Sequence, residues 1–246
     1  MKRVSLQPAY VLHRRPYRET SFLVELLTQE YGRLTVLAKG VRQAKSPSSG
    51  LLQPFQRLLV SWAGRGDLVT LTESELAGDV SRLEGDRLFA GFYLNELLMA
   101  LLERFDPHPA IYAAYGAAMS SLQADKLDER VLRSFEKKML EELGYGLLRQ
   151  SDVALKETLK PDKYYRFVPE QGFILSELGE EMKSKANLFS GKSLRAIADE
   201  DWRETETLRD AKRLTRFLLA PLLGSKIIHS RQLFLSNVEE GEKNDD

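Results

Sequence analysis

The chain has 246 residues, 43% of them hydrophobic, no cysteine and a formal net charge of zero. The lack of cysteine excludes disulfides, thiol nucleophiles, thiolate zinc sites and iron–sulfur clusters. No apolar run approaches the roughly 18 residues of a membrane-spanning helix, and no apolar stretch or cleavage site follows Lys2 and Arg3, so an unexported, cytoplasmic protein is expected. The neutral total hides an asymmetry. Residues 1–57 carry ten basic side chains (Lys2, Arg3, Arg14, Arg15, Arg18, Arg33, Lys39, Arg42, Lys45 and Arg57) against three acids, Glu19, Glu25 and Glu30. A positive field concentrated at one end points to a polyanionic ligand.

From Ala9 to Glu75 short apolar runs rich in β-branched and aromatic residues alternate with turn residues, which predicts five strands. They are Ala9–Arg14, Thr20–Thr28, Arg33–Lys39, Phe55–Trp62 and Asp67–Glu75, with hairpin turns at Gln29-Glu30-Tyr31-Gly32 and Ala63-Gly64-Arg65-Gly66. In the second strand Phe22, Val24 and Leu26 face a core and Glu25 faces out, while Leu23 and Leu27 make the other side apolar as well. A small closed barrel of the OB type accommodates that pattern, and an SH3-like barrel is its competitor. Between strands three and four, Lys39–Gly50 reads as a basic, mobile loop with no apolar anchor.

After residue 80 the period changes to that of helices. Leu88–Leu102 is apolar nearly all round and reads as a buried helix that Asp106-Pro107 terminates. Pro109–Leu122 and Asp128–Leu143 follow as helices, the latter with Gly144 at its C-cap. Tyr164–Val168 and Phe173–Leu175 read as an inserted β-hairpin. Thr207–Leu223 is a helix with Arg209, Lys212, Arg213 and Arg216 on one face, Asp210 on a different side, and a frayed acidic segment beyond it. The expected architecture is α+β in two domains: an OB-fold nucleic-acid-binding domain over residues 1–80, and a mostly α-helical domain with a small β-hairpin over residues 81–246.

Few motifs suggest catalysis. His13, His108 and His229 lack neighbours at metal-ligand or triad spacing. Ala186-Asn187-Leu188-Phe189-Ser190-Gly191-Lys192-Ser193 approaches a phosphate-binding loop, but the first glycine is missing and no buried strand precedes it. A helix N-terminus at Ser190 to Ser193 explains the same residues. Tyr17 and Tyr31 adjoin turns, where an exposed ring can stack on a base.

Several blocks in fixed order carry a resemblance: Ala9-Tyr10-Val11-Leu12-His13-Arg14-Arg15-Pro16-Tyr17-Arg18-Glu19-Thr20-Ser21, Thr28-Gln29-Glu30-Tyr31-Gly32-Arg33, Ala38-Lys39-Gly40-Val41-Arg42 and Leu52-Gln53-Pro54-Phe55. Further along stand Tyr93-Leu94-Asn95-Glu96-Leu97-Leu98, Leu132-Arg133-Ser134-Phe135-Glu136, Leu143-Gly144-Tyr145-Gly146, Leu208-Arg209 to Thr215-Arg216, and Ser230-Arg231-Gln232-Leu233-Phe234. Over nearly its whole length the chain resembles the RecO family of recombination mediators. The resemblance implies a non-enzymatic protein that binds single-stranded DNA, anneals complementary strands, engages the acidic, Phe-terminated C-terminal tail of the single-stranded DNA-binding protein SSB, and with RecR helps load RecA on SSB-coated DNA. It also places Arg133 as the partner of the tail carboxylates. Some relatives carry a second arginine where this chain has Ser134, and some carry a four-cysteine zinc module that a cysteine-free chain cannot form. No cofactor is expected.

The candidate DNA-binding residues are Arg14, Arg15, Arg18, Arg33, Lys39, Arg42 and Lys45 in the barrel, and Arg209, Lys212, Arg213 and Arg216 in the last long helix. An OB-fold RNA-binding module of translation or RNA processing is the alternative.

Overall fold

A computed structural model describes residues 2–43, 48–145, 159–169, 171–177 and 187–233. Five strands close a barrel in the order β1-β2-β3-β5-β4: β1 (Lys2–Tyr17), β2 (Ser21–Thr28), β3 (Gly32–Ala38), β4 (Arg57–Gly64) and β5 (Leu68–Leu76). All neighbours are antiparallel except β3 and β5, which run parallel through Thr35–Leu68 to Leu37–Thr70. This is a barrel of the OB type. β1 is far longer than the expected Ala9–Arg14 because one strand pairs with both β2 and β4. Register breaks between Val11 and His13 and between Val4 and Gln7 supply the bends, as bulges do in closing barrels.

Val11, Val24, Leu26, Leu34, Val36, Leu58, Val60 and Trp62 fill the interior. The loop after β3 departs from expectation. Val41 is buried in that same interior, so the segment has the apolar anchor that its composition concealed, and a short helix α1 (Ser48–Leu51) follows.

Compactness divides the described residues into two units. One joins those up to Leu127 with those from Lys226 onward; the other is Asp128–Ser225. Residue 80 marks where strands give way to helices within the first unit. There α2 (Gly85–Leu101) and α3 (Pro109–Ser121) serve the barrel directly. Buried Asn95 donates through Nδ2 to the Leu12 carbonyl at 2.7 Å and accepts from the Tyr115 hydroxyl at 2.6 Å. Tyr10 packs against Tyr112 and Tyr115 with ring centroids 5.2 and 5.0 Å apart. Leu12, Leu23 and Leu27 are buried although they lie outside the barrel interior. That explains why both sides of β2 are apolar: one lines the barrel and the other is covered.

The chain beyond α2 completes the cover. Arg104 pairs with Arg33 in a parallel bridge, and the Phe105 amide donates to the Arg33 carbonyl at 2.9 Å. Gly32 makes this approach possible. Its φ is +66°, and a Cβ there would lie 2.1 Å from the Asp106 carbonyl oxygen, so both conformation and space require glycine.

In the second unit, α4 (Glu129–Glu142) begins at Asp128, whose side chain caps the Arg130 amide. The expected hairpin is present as β6 (Tyr164–Val168) and β7 (Gly172–Leu175), and a third strand, β8 (Leu188–Ser190), extends the sheet to β7-β6-β8. Ser190 then caps α5 (Gly191–Asp199), its hydroxyl accepting from the Ser193 amide at 3.0 Å. The helix-start reading of this segment is therefore correct. The last long helix is α6 (Thr205–Leu223). Among the described residues no helix is long and apolar enough to cross a membrane.

Candidate nucleic-acid interface

The basic residues of the barrel separate into two groups. One gathers where β1 turns into β2 and where β3 leaves the barrel. Arg18 takes a left-handed conformation at the turn, φ 52°, and its carbonyl accepts from Arg42 Nη1 at 2.9 Å, while the Arg42 amide donates to the Thr20 carbonyl at 2.9 Å. The two loops are thus tied together at both backbone and side chain. Between them Phe22 packs half-buried against the interior. The Arg14 guanidinium lies 4.6 Å and that of Arg42 5.8 Å from its ring centroid, and Arg18 lies 5.4 Å from the Tyr17 ring. Burial pulls the Arg14 pKa below its usual value, without approaching deprotonation at neutral pH. Arg15 and Lys39 are exposed beside this group. The result is an edge of cations oriented by aromatic faces, a combination suited to a strand offering phosphates and rings.

The other group looks inward. Arg33 donates from Nη1 to Glu25 at 3.1 Å and from Nε and Nη2 to the Leu102 carbonyl at 3.1 and 3.0 Å. Glu25 also accepts from Arg104 at 2.8 Å and from the Thr35 hydroxyl at 2.6 Å. Glu25, expected to face solvent, is instead the acceptor that fastens the segment after α2 to the barrel wall. Arg33 belongs to that fastening. The open β2–β3 face that OB barrels commonly offer to a ligand is covered in this protein, which leaves the Phe22 edge as an accessible cationic part of the barrel, with Arg3, Arg57 and Arg65 exposed elsewhere on it. Lys45 lies outside the described residues.

The α6 stripe divides as well. Arg213 pairs with Asp210 at 2.8 Å, donates to the Leu188 carbonyl at 3.0 Å and covers the Phe189 ring at 5.0 Å. The expectation that Asp210 stands on a different side is corrected by this contact: three residues apart, the two side chains meet on one helix face. Lys212 reaches Glu129 at 3.3 Å. Arg209 and Arg216 are exposed.

Arg133 is only 4% exposed and pairs with Glu136 at 2.8 Å, while the Thr215 hydroxyl donates to the other Glu136 oxygen. Its Nε and Nη1 have no hydrogen-bond partner among the described residues. Ser134 accepts from the Trp202 indole at 3.1 Å.

Sequence reasoning passed over two participants. Phe22 is one of several barrel aromatics able to stack on a base, but the sequence favours Tyr17 and Tyr31 over it, although an aromatic residue opening a strand straight after an arginine-bearing turn is a signal for the contacts it makes with Arg14 and Arg42. Arg104 carried no signal, because its partner Glu25 is distant in sequence.

An OB barrel with a cationic, aromatic edge, followed by helices and a small sheet, defines the class as an OB-barrel protein with an appended helical region. Two family models cover the chain: Recombination protein O N terminal over residues 1–79, and Recombination protein O C terminal over residues 82–232. DNA repair protein RecO of Coxiella burnetii is 45% identical over 232 residues, covering 94% of this chain and 98% of that protein. The protein of the same name from Nitrosococcus oceani is 45% identical over 248 residues, covering 98% and 99%, and that of Burkholderia pseudomallei 38% over 233 residues, covering 95% and 84%. The chain belongs to the RecO family of DNA repair proteins. That membership disfavours the RNA-binding alternative.

Proposed function

We propose that this protein is a non-enzymatic recombination mediator in the cytoplasm, associated with the nucleoid. It binds single-stranded DNA along the edge built by Arg14, Arg15, Arg18, Lys39 and Arg42 around Phe22. The observation that carries the reading is the pair Arg14 and Arg42 on one ring, with Arg42 also joining the two loops. Contacts to phosphates by several such cations give affinity without sequence preference and make binding fall steeply with salt. Arg209 and Arg216 on α6 supply a second cationic surface. Screening two strands at once by such cations promotes annealing. Arg33 and Arg213 act as structural cations in this reading.

The protein also engages the SSB tail, and with RecR it helps RecA replace SSB on DNA. Support for Arg133 in tail binding comes from its two unpartnered donors, since a buried guanidinium lacking acceptors favours a carboxylate that can reach it. The neighbouring Glu136 limits that site to a ligand able to approach the unoccupied side of the fork.

Arg42→Glu tests the DNA reading by fluorescence anisotropy of a labelled oligonucleotide. Affinity falls at least tenfold at moderate salt with the melting temperature preserved. Affinity insensitive to both salt and this reversal would dismiss the electrostatic account.

A further inference from the structure

The barrel has a second mouth, away from Phe22, where the β2–β3 and β4–β5 turns meet the beginning of β1. A cavity of about 340 Å³ opens there, lined by Val4, Tyr31, Trp62, Val69, Phe105 and the turn Gly64–Asp67. Its floor is aromatic: Tyr31 meets Trp62 edge to face with centroids 5.2 Å apart. Phe105 stands at its rim, 40% exposed and held at φ 60° by the amide that bonds to Arg33. An exposed phenylalanine in that conformation carries a backbone cost that its own packing does not repay. Its place beside a ring-lined cavity gives it a use.

Cations flank the cavity. Arg3, paired in register with Ala63, and Arg65 in the turn are exposed on the barrel side. Across Asp67, which lines both spaces, lies a second hollow of about 490 Å³ bordered by Arg104 and Lys226. A chain-terminal peptide residue brings one carboxylate to one side of its ring. A nucleotide inside a continuous strand brings a phosphate on each side of its base, and exposed Arg3 and Arg65 on the barrel side, with the half-exposed Arg104 that Glu25 holds through Nη2 and the exposed Lys226 that donates to the Ala100 carbonyl beyond Asp67, match the second case.

We infer that this mouth is a base-binding pocket, in which one unstacked base of a single strand enters between Tyr31, Trp62 and Phe105 while the flanking cations hold the adjoining phosphates. The inference rests on the single-stranded DNA reading and adds to it a subsite separate from the Phe22 edge.

The test uses Trp62 as its own reporter in a Trp202→Phe background, leaving a single indole. A thymidine oligomer and an abasic oligomer of equal length are titrated at moderate salt, with anisotropy recording binding and emission recording the pocket. The thymidine strand quenches Trp62 and the abasic strand does not. Tyr31→Ala weakens the thymidine strand by about fivefold, the lower range for one stacked base, and leaves the abasic strand unchanged. Should Tyr31→Ala fail to fold, Phe105→Ala replaces it, and the quenching needs no cavity variant. Both strands bound with identical Trp62 emission would overturn the pocket while leaving DNA binding intact. No binding of either strand would overturn both readings. Quenching by a Phe-terminated acidic peptide but not by DNA would reassign the pocket to a protein ligand.

Discussion

Arg33 and Arg42 leave the same barrel at opposite ends of β3, yet their surroundings differ in kind. Arg33 meets a carboxylate and a carbonyl at the C-terminus of a helix, and its charge is cancelled inside the fold. Arg42 meets a ring and the carbonyl of a turn, contacts that fix its direction without neutralising it. Arg133 with Glu136 is of the first kind and Arg14 on Phe22 of the second. Basic composition alone does not separate cations that build a protein from cations that present a surface. In these four the partner does: carboxylates draw the charge into the structure, and rings hold it outward, while Arg213 meets both Asp210 and Phe189.

Each variant below sharpens or breaks that division. The largest effect is expected at Glu136, whose loss leaves Arg133 buried without its counter-ion. Glu136→Ala should lower unfolding free energy by about 3–5 kcal/mol, the usual cost of breaking a buried pair, measured by urea denaturation. Gly32→Ala comes next. Positive φ and collision with the Asp106 carbonyl should together cost about 2 kcal/mol or more, with DNA affinity per folded molecule unchanged.

Arg42→Ala and Arg33→Gln form the direct contrast. Removing Arg42 should reduce the slope of log affinity against log salt by about 0.7, one phosphate contact on a single strand, and leave the thermal midpoint in place. Arg33→Gln should do the reverse, keeping the slope and costing about 1–3 kcal/mol of stability. If Arg33→Gln changes the slope as much as Arg42→Ala, the division fails.

The smallest effect concerns Asp210. Burial is the main cause raising its pKa, opposed by a hydrogen bond from Ser193 and by Arg213. The folded state therefore holds this proton more tightly than the unfolded chain, so the group adds stability as pH falls from its folded value towards the ordinary carboxylate range, and the gain is complete below that range. Asp210→Asn removes that term. The difference between wild type and variant in thermal midpoint should change in this acidic window and be constant above it.

The barrel was legible because its signal is local. Turns at Gln29–Gly32 and Ala63–Gly66 and alternation around Val24 and Leu26 suffice for a five-stranded closed sheet, and the Ser190 cap could be read from four residues. β8 escaped notice because Leu188-Phe189-Ser190 is too short to show alternation and exists by pairing with Tyr164–Arg166. The cationic edge was half legible: the residues were named, but their sorting was not. Arg33 is 69 residues from the carbonyl it holds, Arg104 is 79 from Glu25, and Thr215 is 79 from Glu136. Pairings at such separations depend on the completed fold and leave no mark on any window of sequence.

The bond from Asn95 to the Leu12 carbonyl spans 83 residues, and Ser230 reaches back 134 residues to Glu96. Emerging from a ribosome, the five strands are complete by Leu76, but the Leu12 carbonyl must wait for α2 before Asn95 satisfies it. The contact that closes the unit arrives only after all of Asp128–Ser225 has been made. Nascent chains of this protein therefore pass through an interval in which a formed barrel lacks the α2 partner of β1, and a fragment cut near residue 80 would be held permanently in that interval.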